Sequence, residues 1–330
     1  MTRLGHLARK LCQLAGEPSM LDDLNAEFAA NGLREAIRHH DNGPIFDWLA
    51  EVFNYQGVAD SVATTYLEEH GTVSFGQIER SLARKPSCPR LNCYWTFENC
   101  GYRKTRYVCS EPDHLPRCPL PRLDLRNGNL NRVSYSLWLF LRDVSGGDFV
   151  GWLDAQLLDA DQPGPRRGHK LAVAALVPLS HLYGVSYKMV SMALSSLLLA
   201  GDPDRERWVC AGAHQIVVDT LVHNWLHRTG CLTRLKSEHS YGVRCYQPGG
   251  CADIIRSVSR RIDARRFNAD FPKAFPRFVQ YAIWRFCAQQ GLDQCNGNQI
   301  DDSDRCNLSD CPLYRNCDRR PLAPPQRSSD

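Results

Sequence analysis

The chain has 330 residues, a length that suits two modest domains, and its 43% hydrophobic and 23% charged residues exclude a wholly disordered protein. No stretch approaches the roughly 18–20 uninterrupted apolar residues of a membrane span, and the first twenty residues lack a signal-peptide core, so we expect a cytoplasmic protein with no membrane partner. The formal net charge of +4 is unevenly distributed along the sequence. Residues 1–80 are acidic, with six basic and twelve acidic residues, and the remainder of the chain is basic. Such a remainder favours a polyanionic partner, although a solvated basic surface has the same composition.

Hydrophobic periodicity predicts a mostly helical chain. The predicted helices cover roughly 45–55, 59–70, 134–141, 149–158, 169–182, 187–199, 214–228, 252–266 and 275–290. The segment 159–168, with its prolines and glycines, interrupts this pattern. Strand signals are sparse, and the Pro/Ser-rich end from residue 319 is typical of disorder. We therefore predict an all-α fold with irregular, cysteine-bearing loops.

The most unusual feature of the composition is its 15 cysteines. An intracellular chain rarely keeps so many thiols for disulfides, and an odd number cannot all pair internally, so we expect metal or cluster ligation. Four of them form a C-terminal pattern, C-x10-C-x4-C-x5-C: Cys295, Cys306, Cys311 and Cys317. Loops of this length close around one centre at small entropic cost, and thiolates favour zinc or an iron–sulfur cluster. The spacing alone does not choose between these two, and unrelated buried or free thiols are the alternative.

The end of this pattern, C-P-L-x-x-x-C from Cys311 to Cys317, resembles the 4Fe–4S motif of the helix-hairpin-helix DNA glycosylases of the endonuclease III superfamily. The resemblance implies that all four cysteines hold a 4Fe–4S cluster. The usual pattern is C-x6-C-x2-C-x5-C, so the first two intervals are longer here. In the family the first loop is basic and contacts DNA phosphate. Here it carries Asp301, Asp302 and Asp304 with one arginine, and we expect it to repel phosphate.

A candidate hairpin lies upstream at 182–188, where LYGVSYK resembles the L-P-G-V-G-x-K hairpin of the same family. A glycine permits the tight turn that brings backbone N–H groups against a phosphate, and the next helix N-terminus adds a favourable dipole. A serine replaces the second glycine of the family motif. The resemblance implies DNA contacts from Gly184, Val185, Ser186 and Tyr187.

The segment 217–223, VVDTLVH, is similar to the V-D-T-H segment of the family, and the helix after it ends in the expected R-x-G. The resemblance implies that Lys188 attacks C1′ of the sugar, leaving a Schiff base that permits strand cleavage. Asp219 would activate this nucleophile and stabilise positive charge on the sugar. A desolvated amine and a nearby carboxylate suit these roles. The alternative is a surface lysine and an ordinary helix N-cap aspartate.

The helix near residue 50 resembles the first barrel helix of the family, most closely in adenine-mismatch glycosylases. Gln56 matches the glutamine that fills the space of an extruded base. Glu51 matches an acid that protonates the leaving base, and burial beside Trp48 and Phe53 would keep its proton in place near neutral pH. The alternative is a solvated glutamate on the polar face of the helix. Adenine specificity is not inferred.

The segment 86–122 replaces barrel helices with a Pro-rich and Cys-rich insertion. A second metal site, zinc or iron–sulfur, is one interpretation, with these ligands: Cys93, Cys100, Cys109 and Cys118. Small buried hydrophobes or redox-labile thiols are the alternative, because the spacings match no common zinc knuckle. Interleaved aromatic and basic residues at 94–107 are typical of nucleic-acid surfaces. No role is predicted for the other cysteines, among them Cys12, Cys210, Cys231, Cys245, Cys251 and Cys287.

Together these patterns predict a two-lobed helical protein that binds duplex DNA as a monomer, associated with the nucleoid if the source is bacterial. The predicted parts are an N-terminal helical segment (1–43) packing with the cluster domain, a helix-hairpin-helix barrel (44–205), a cluster domain (206–318) and a disordered tail (319–330). A row of five arginines, Arg256, Arg260, Arg261, Arg265 and Arg266, is predicted to lie mostly on one helical face and track phosphates. The predicted function is a DNA glycosylase, with or without AP-lyase activity. The alternative is a non-catalytic DNA-binding protein with a structural or redox-sensing cluster.

Overall fold

The computed structural model describes residues 3–17, 19–55, 60–70, 72–83, 88–98, 100–103, 108–109 and 129–322. Within these ranges the secondary structure is helical, apart from a short antiparallel pair, β1 (Tyr102–Arg103) and β2 (Val108–Cys109). The predicted all-α class is therefore confirmed. None of the described helices is both long enough and apolar enough to cross a membrane.

The described α-helices are α1 (Arg3–Leu14), α2 (Met20–Ala30), α3 (Leu33–Arg38), α4 (Asn42–Asn54), α5 (Asp60–His70), α6 (Phe75–Leu82), α7 (Tyr94–Phe97), α8 (Asn129–Leu139), α9 (Phe149–Ala160), α10 (Arg167–Leu179), α11 (Tyr187–Ala200), α12 (Glu206–Ala213), α13 (Thr220–Arg228), α14 (Cys231–Arg234), α15 (Cys251–Ser259) and α16 (Pro276–Cys287). A π-turn, Phe140–Val144, continues α8. The 3₁₀ turns lie at Pro89–Leu91, Val243–Tyr246, Ala264–Arg266 and Tyr314–Asn316. The chain divides into two compact units, Leu24–Ala211 and Met1–Asp23 with Gly212–Asp330.

The unit Leu24–Ala211 is built around α4, which packs against α3, α6, α8 and α11, while α10 packs against both α9 and α11. Its core is aromatic and aliphatic, with Phe46, Phe149 and Leu197 fully buried. Each such side chain contributes about 1.5–3 kcal/mol by leaving water. This packing holds the turn between α10 and α11 at a defined place on the unit.

The other unit joins the N-terminus of the chain to its C-terminal part. α1 packs against α16 and α15, and α13 and α15 also pack on α16. Arg3 of α1 pairs with Asp318 at 2.8 Å, and Lys10 donates to the carbonyl of Pro312. The first helix is therefore attached to the segment that carries the C-terminal cysteines.

Two predicted helices, 214–228 and 252–266, are at least six residues shorter in the structure. Residues 214–219 are not helical, because Ile216, Val217 and Val218 form a buried irregular segment and α13 begins only after Asp219. α15 ends at Ser259, where the prediction continued to residue 266.

The predicted arginine row is consequently wrong. Only Arg256 lies on α15, while Arg265 and Arg266 belong to a separate 3₁₀ turn capped by Asp263. Arg256 pairs with Asp253 at 3.2 Å, and Arg265 pairs with Asp263 at 2.7 Å. The five arginines do not share one helical face.

Candidate functional site

The hairpin segment connects α10 to α11 through a short turn. Gly184 has a φ of 73°, in the left-handed region where glycine carries no steric penalty. Leu182 and Val185 are 2% and 9% exposed and anchor the turn in the core of the unit. The Ser186 hydroxyl caps α11 by accepting from the backbone N–H of Met189 at 3.4 Å. The serine in place of the second family glycine thus has a structural role as an N-cap.

Lys188 lies in the first turn of α11 and is half-buried, while the neighbouring Tyr187 is exposed. Asp219 lies in the other unit as the N-cap of α13, where its carboxylate accepts from the backbone N–H of Val222 at 2.9 Å. Burial lowers the pKa of Arg277 to about 10, and the negative charge of Asp219 acts in the opposite direction. Asp219 therefore has two structural roles, as a helix cap and as a countercharge.

The two residues predicted from the first barrel helix have different outcomes. Glu51 lies on α4 and is exposed, although the neighbours expected to bury it, Trp48 and Phe53, are themselves buried. The burial on which the acid role depends is therefore missing. Gln56 lies outside the described residues.

The four C-terminal cysteines line one cavity, which the structure forms at the ends of α13 and α16. The lining includes Cys295, Cys306, Cys311, Cys317, Trp225, Arg228, Thr229, Phe286 and Arg319. Burial raises the pKa of Cys317 to about 12, whereas a hydrogen bond from Cys287 lowers the pKa of Cys295 and the charge of Arg228 adds to this effect. The cavity thus combines four cysteine sulfurs with a buried positive charge.

Three side chains that line this cavity have buried N–H donors without an acceptor among the described residues. They are Trp225 Nε1, Arg228 Nε and Nη1, and Arg319 Nε. Trp225 and Arg228 are 0% and 1% exposed. A buried donor without a partner costs about 1–3 kcal/mol, so a cavity with several of them suits an anionic acceptor.

The acidic loop between Cys295 and Cys306 contributes to the same site. Asp302 pairs with Arg228, the buried arginine of the cavity, and the Asp302 carbonyl accepts from the backbone N–H of Leu322 at 2.8 Å. Residues 319–322, which the composition assigns to a disordered tail, are held here by backbone hydrogen bonds to Arg228 and Asp302. The negative charge of Asp302 therefore balances a buried cation.

A second group of possible ligands was not predicted from the sequence. His223, His239, Cys245 and Cys251 place one ligand atom each within 4.8 Å of one another, and this group could hold a metal ion. Two of its members, Cys245 and Cys251, are among the cysteines for which no role was predicted. The signal that could have found them is the repeated spacing H-x5-C-x5-C from His239 to Cys251.

The predicted second site in the insertion is not assembled by the described residues. Cys93 precedes α7 and interacts with the hydroxyl of Thr96 at 3.3 Å, which lowers the pKa of its thiol. Cys100 packs against the hydrophobic core of its unit. Cys118 and the side chain of Cys109 lie outside the described residues. Within the described part of the chain, the only His and Cys side chains close enough together to hold a metal ion are those of the His/Cys group in the other unit.

No family model, curated protein or solved structure matches this chain.

Proposed function

We propose that this protein is a helix-hairpin-helix DNA glycosylase with AP-lyase activity. The observation that carries the proposal is the turn between α10 and α11. There a left-handed Gly184 and a capped helix N-terminus place Lys188 in the first helical turn. The positive end of the α11 dipole suits a DNA phosphate, and a half-buried amine suits attack on a sugar carbon.

In the proposed reaction the hairpin and the basic surface bind duplex DNA with the target base extruded. The neutral amine of Lys188 forms a bond to C1′ while the C1′–N bond to the base breaks, and the departing base takes up a proton. The C1′–O4′ bond then breaks, O4′ takes up a proton, and a protonated Schiff base forms between Lys188 and C1′. Removal of a proton from C2′ forms the C2′=C3′ bond and breaks the C3′–O bond, so that the 3′ phosphate leaves. Asp219 stabilises the positive charge that develops on the sugar.

The residues around the cysteine cavity fit a 4Fe–4S cluster. Four cysteine sulfurs around one cavity are the ligand set that such a cluster requires. The unpaired donors of Trp225 and Arg228 suit the sulfide and thiolate sulfurs of an anionic cluster. When bound, the cluster would close the C-terminal loops into one unit and offer one-electron redox chemistry.

The proposal is tested on duplexes that contain an abasic site, in the presence of borohydride. We expect a covalent protein–DNA adduct, because borohydride reduces the Schiff base to a stable amine. A panel of duplexes with damaged or mismatched bases identifies the base that is released. Base release without the adduct would contradict the AP-lyase activity, and absence of both from every duplex would contradict the whole proposal.

A non-catalytic DNA-binding protein with the same hairpin is the second candidate. It is favoured by the exposed position of Glu51 and by the structural roles that Asp219 already has. Duplex binding without adduct or base release would be its signature.

Variants of Asp219 separate its structural roles from chemistry. Asn is as good an N-cap as Asp, so Asp219→Asn should keep the cap, whereas Asp219→Ala should lose about 1 kcal/mol more of the unfolding free energy. Both variants remove the negative charge near Arg277. The difference in unfolding free energy between them therefore measures the contribution of the cap alone. We expect both to lose about 100-fold in adduct formation, since both lack the charge that stabilises the sugar cation. Wild-type activity in Asp219→Asn would exclude the carboxylate from the reaction.

Substitution of Arg228 tests the donors around the proposed cluster. Arg228→Met keeps the length of the side chain but removes the charge and the N–H groups, each worth about 1.5–3 kcal/mol toward a charged acceptor. We expect a chelator to remove iron from Arg228→Met at least about tenfold faster than from wild type. Iron loss at an unchanged rate would show that these donors do not contact the metal group. Arg260→Met, at the exposed C-terminal end of α15 in the same unit, is the control.

A further inference from the structure

In the loop of residues 235–250, between α14 and α15, few apolar side chains are buried. Leu235, Tyr241 and Val243 are 51%, 43% and 77% exposed, yet Cys245 is fully buried. The loop has one 3₁₀ turn, Val243–Tyr246, and no other helix or strand. Long loops of this kind need a specific device to fix one conformation.

The buried end of this loop meets two helices at a compact group of four side chains. His223 comes from α13, His239 and Cys245 from the loop, and Cys251 from the first residue of α15. His223 Nδ1 lies 3.4 Å from Cys251 Sγ and 3.5 Å from Cys245 Sγ, and Cys251 Sγ lies 3.4 Å from His239 Nε2.

These separations agree with one tetrahedral zinc ion. Zinc binds sulfur at about 2.3 Å and nitrogen at about 2.0–2.1 Å, so two such ligands at the tetrahedral angle lie about 3.6 Å apart. Every pair of the four ligand atoms lies within 4.8 Å. Calcium and magnesium are unsuited, because they require oxygen ligands.

A hydrogen bond sets the tautomer of His239 that metal binding requires. His239 Nδ1 lies 2.6 Å from the carbonyl oxygen of Ser237, and a carbonyl can only accept, so Nδ1 carries the proton and Nε2 presents its lone pair to the sulfurs. Two thiolates and two neutral imidazoles would leave a bound Zn²⁺ with no net charge, which suits a buried position.

We propose that His223, His239, Cys245 and Cys251 form a structural zinc site that fixes the loop 235–250 to α13 and α15. Four protein ligands leave no open position for water or substrate, as in structural rather than catalytic zinc sites. The site is distinct from the cysteine cavity and does not depend on the proposed glycosylase activity.

The test compares zinc and iron contents of the full-length protein and its variants, purified from cells supplied with both metals. We expect one zinc per chain in wild type. His223→Ala should bind zinc more than ~100-fold more weakly, because loss of an outer-shell partner alone already costs about 10–100-fold. Its iron content should not change. His227→Ala, one turn along the same helix, is the matched control and should keep its zinc.

X-ray absorption at the zinc edge is measured on the wild-type protein, so it tests the ligand set even if His223→Ala does not fold. Wild-type protein should give two sulfur ligands near 2.3 Å and two nitrogen ligands near 2.0–2.1 Å. Four sulfur ligands, an absence of zinc, or a disulfide between Cys245 and Cys251 found by mass spectrometry would each overturn the proposal. Removal of zinc by a chelator should increase hydrogen exchange in 235–250 and leave the hairpin 182–188 unchanged; equal exchange in 235–250 would exclude the structural role.

Discussion

Lys188→Ala should abolish the borohydride-trapped adduct, with a loss of about 10³-fold or more in adduct formation. The amine is the atom that bonds to C1′ in the proposed reaction, and no other group on the first turn of α11 can replace it, since its neighbours Tyr187 and Met189 carry no amine. The measurement is the initial rate of adduct formation on a duplex with one abasic site, at saturating protein.

Two further variants separate the nucleophile from a phosphate contact. Lys188→Arg keeps the positive charge but is protonated at all working pH values, so it should retain DNA binding and still give no adduct. Lys170→Ala, on the exposed face of α10 in the same unit, should behave as wild type in both assays. Adduct formation by Lys188→Ala at a wild-type rate would assign the Schiff base to another amine.

Cys306→Ala should lose the iron and open the C-terminal segment of the chain. Cys306 is 9% exposed and is one of the four sulfurs around the cavity. Structural zinc ions contribute on the order of 10–16 kcal/mol to the folding of small domains. If the proposed cluster stabilises the C-terminal loops in the same way, removal of one of its ligands should unfold these loops. We expect loss of the visible absorption of the cluster and rapid hydrogen exchange in 293–322.

Cys12→Ala is the control for this variant. Cys12 is fully buried on α1 of the same unit and does not line the cavity. It should keep the iron, and zinc should remain in both variants because the His/Cys group is separate. A colourless wild-type protein without iron, or iron lost equally from Cys12→Ala and Cys306→Ala, would contradict the assignment of the four ligands.

The comparison of the two metal-ligand groups shows what local spacing can predict. The four C-terminal cysteines lie within 23 residues, and a short chain between ligands makes their convergence easy to foresee. His223 and Cys251 are 28 residues apart and come from two helices, so only the packing of α13 and α15 shows that they meet. The prediction of a second site was directed to the insertion because its cysteines are dense, although density does not establish contact.

The acidic loop is a second case in which the tertiary structure changed the meaning of a pattern. From the sequence, Asp302 is a charge that would repel DNA phosphate. In the structure it faces Arg228, whose side chain is 1% exposed, and a buried cation requires a partner of opposite charge. The same carboxylate that appeared unsuited to DNA is therefore the countercharge of an arginine that lines the cavity.

The sequence by itself determined the helical class, the turn between α10 and α11, and the convergence of the C-terminal cysteines. These features follow from hydrophobic periodicity, from a glycine at a left-handed turn position and from short loops, all of which act between residues close along the chain. Only the tertiary structure decided that α15 ends before four of the five arginines, that Glu51 is exposed and that two histidines join Cys245 and Cys251. Those outcomes depend on which surfaces of distant segments pack together, and a single sequence does not encode that packing in any local pattern.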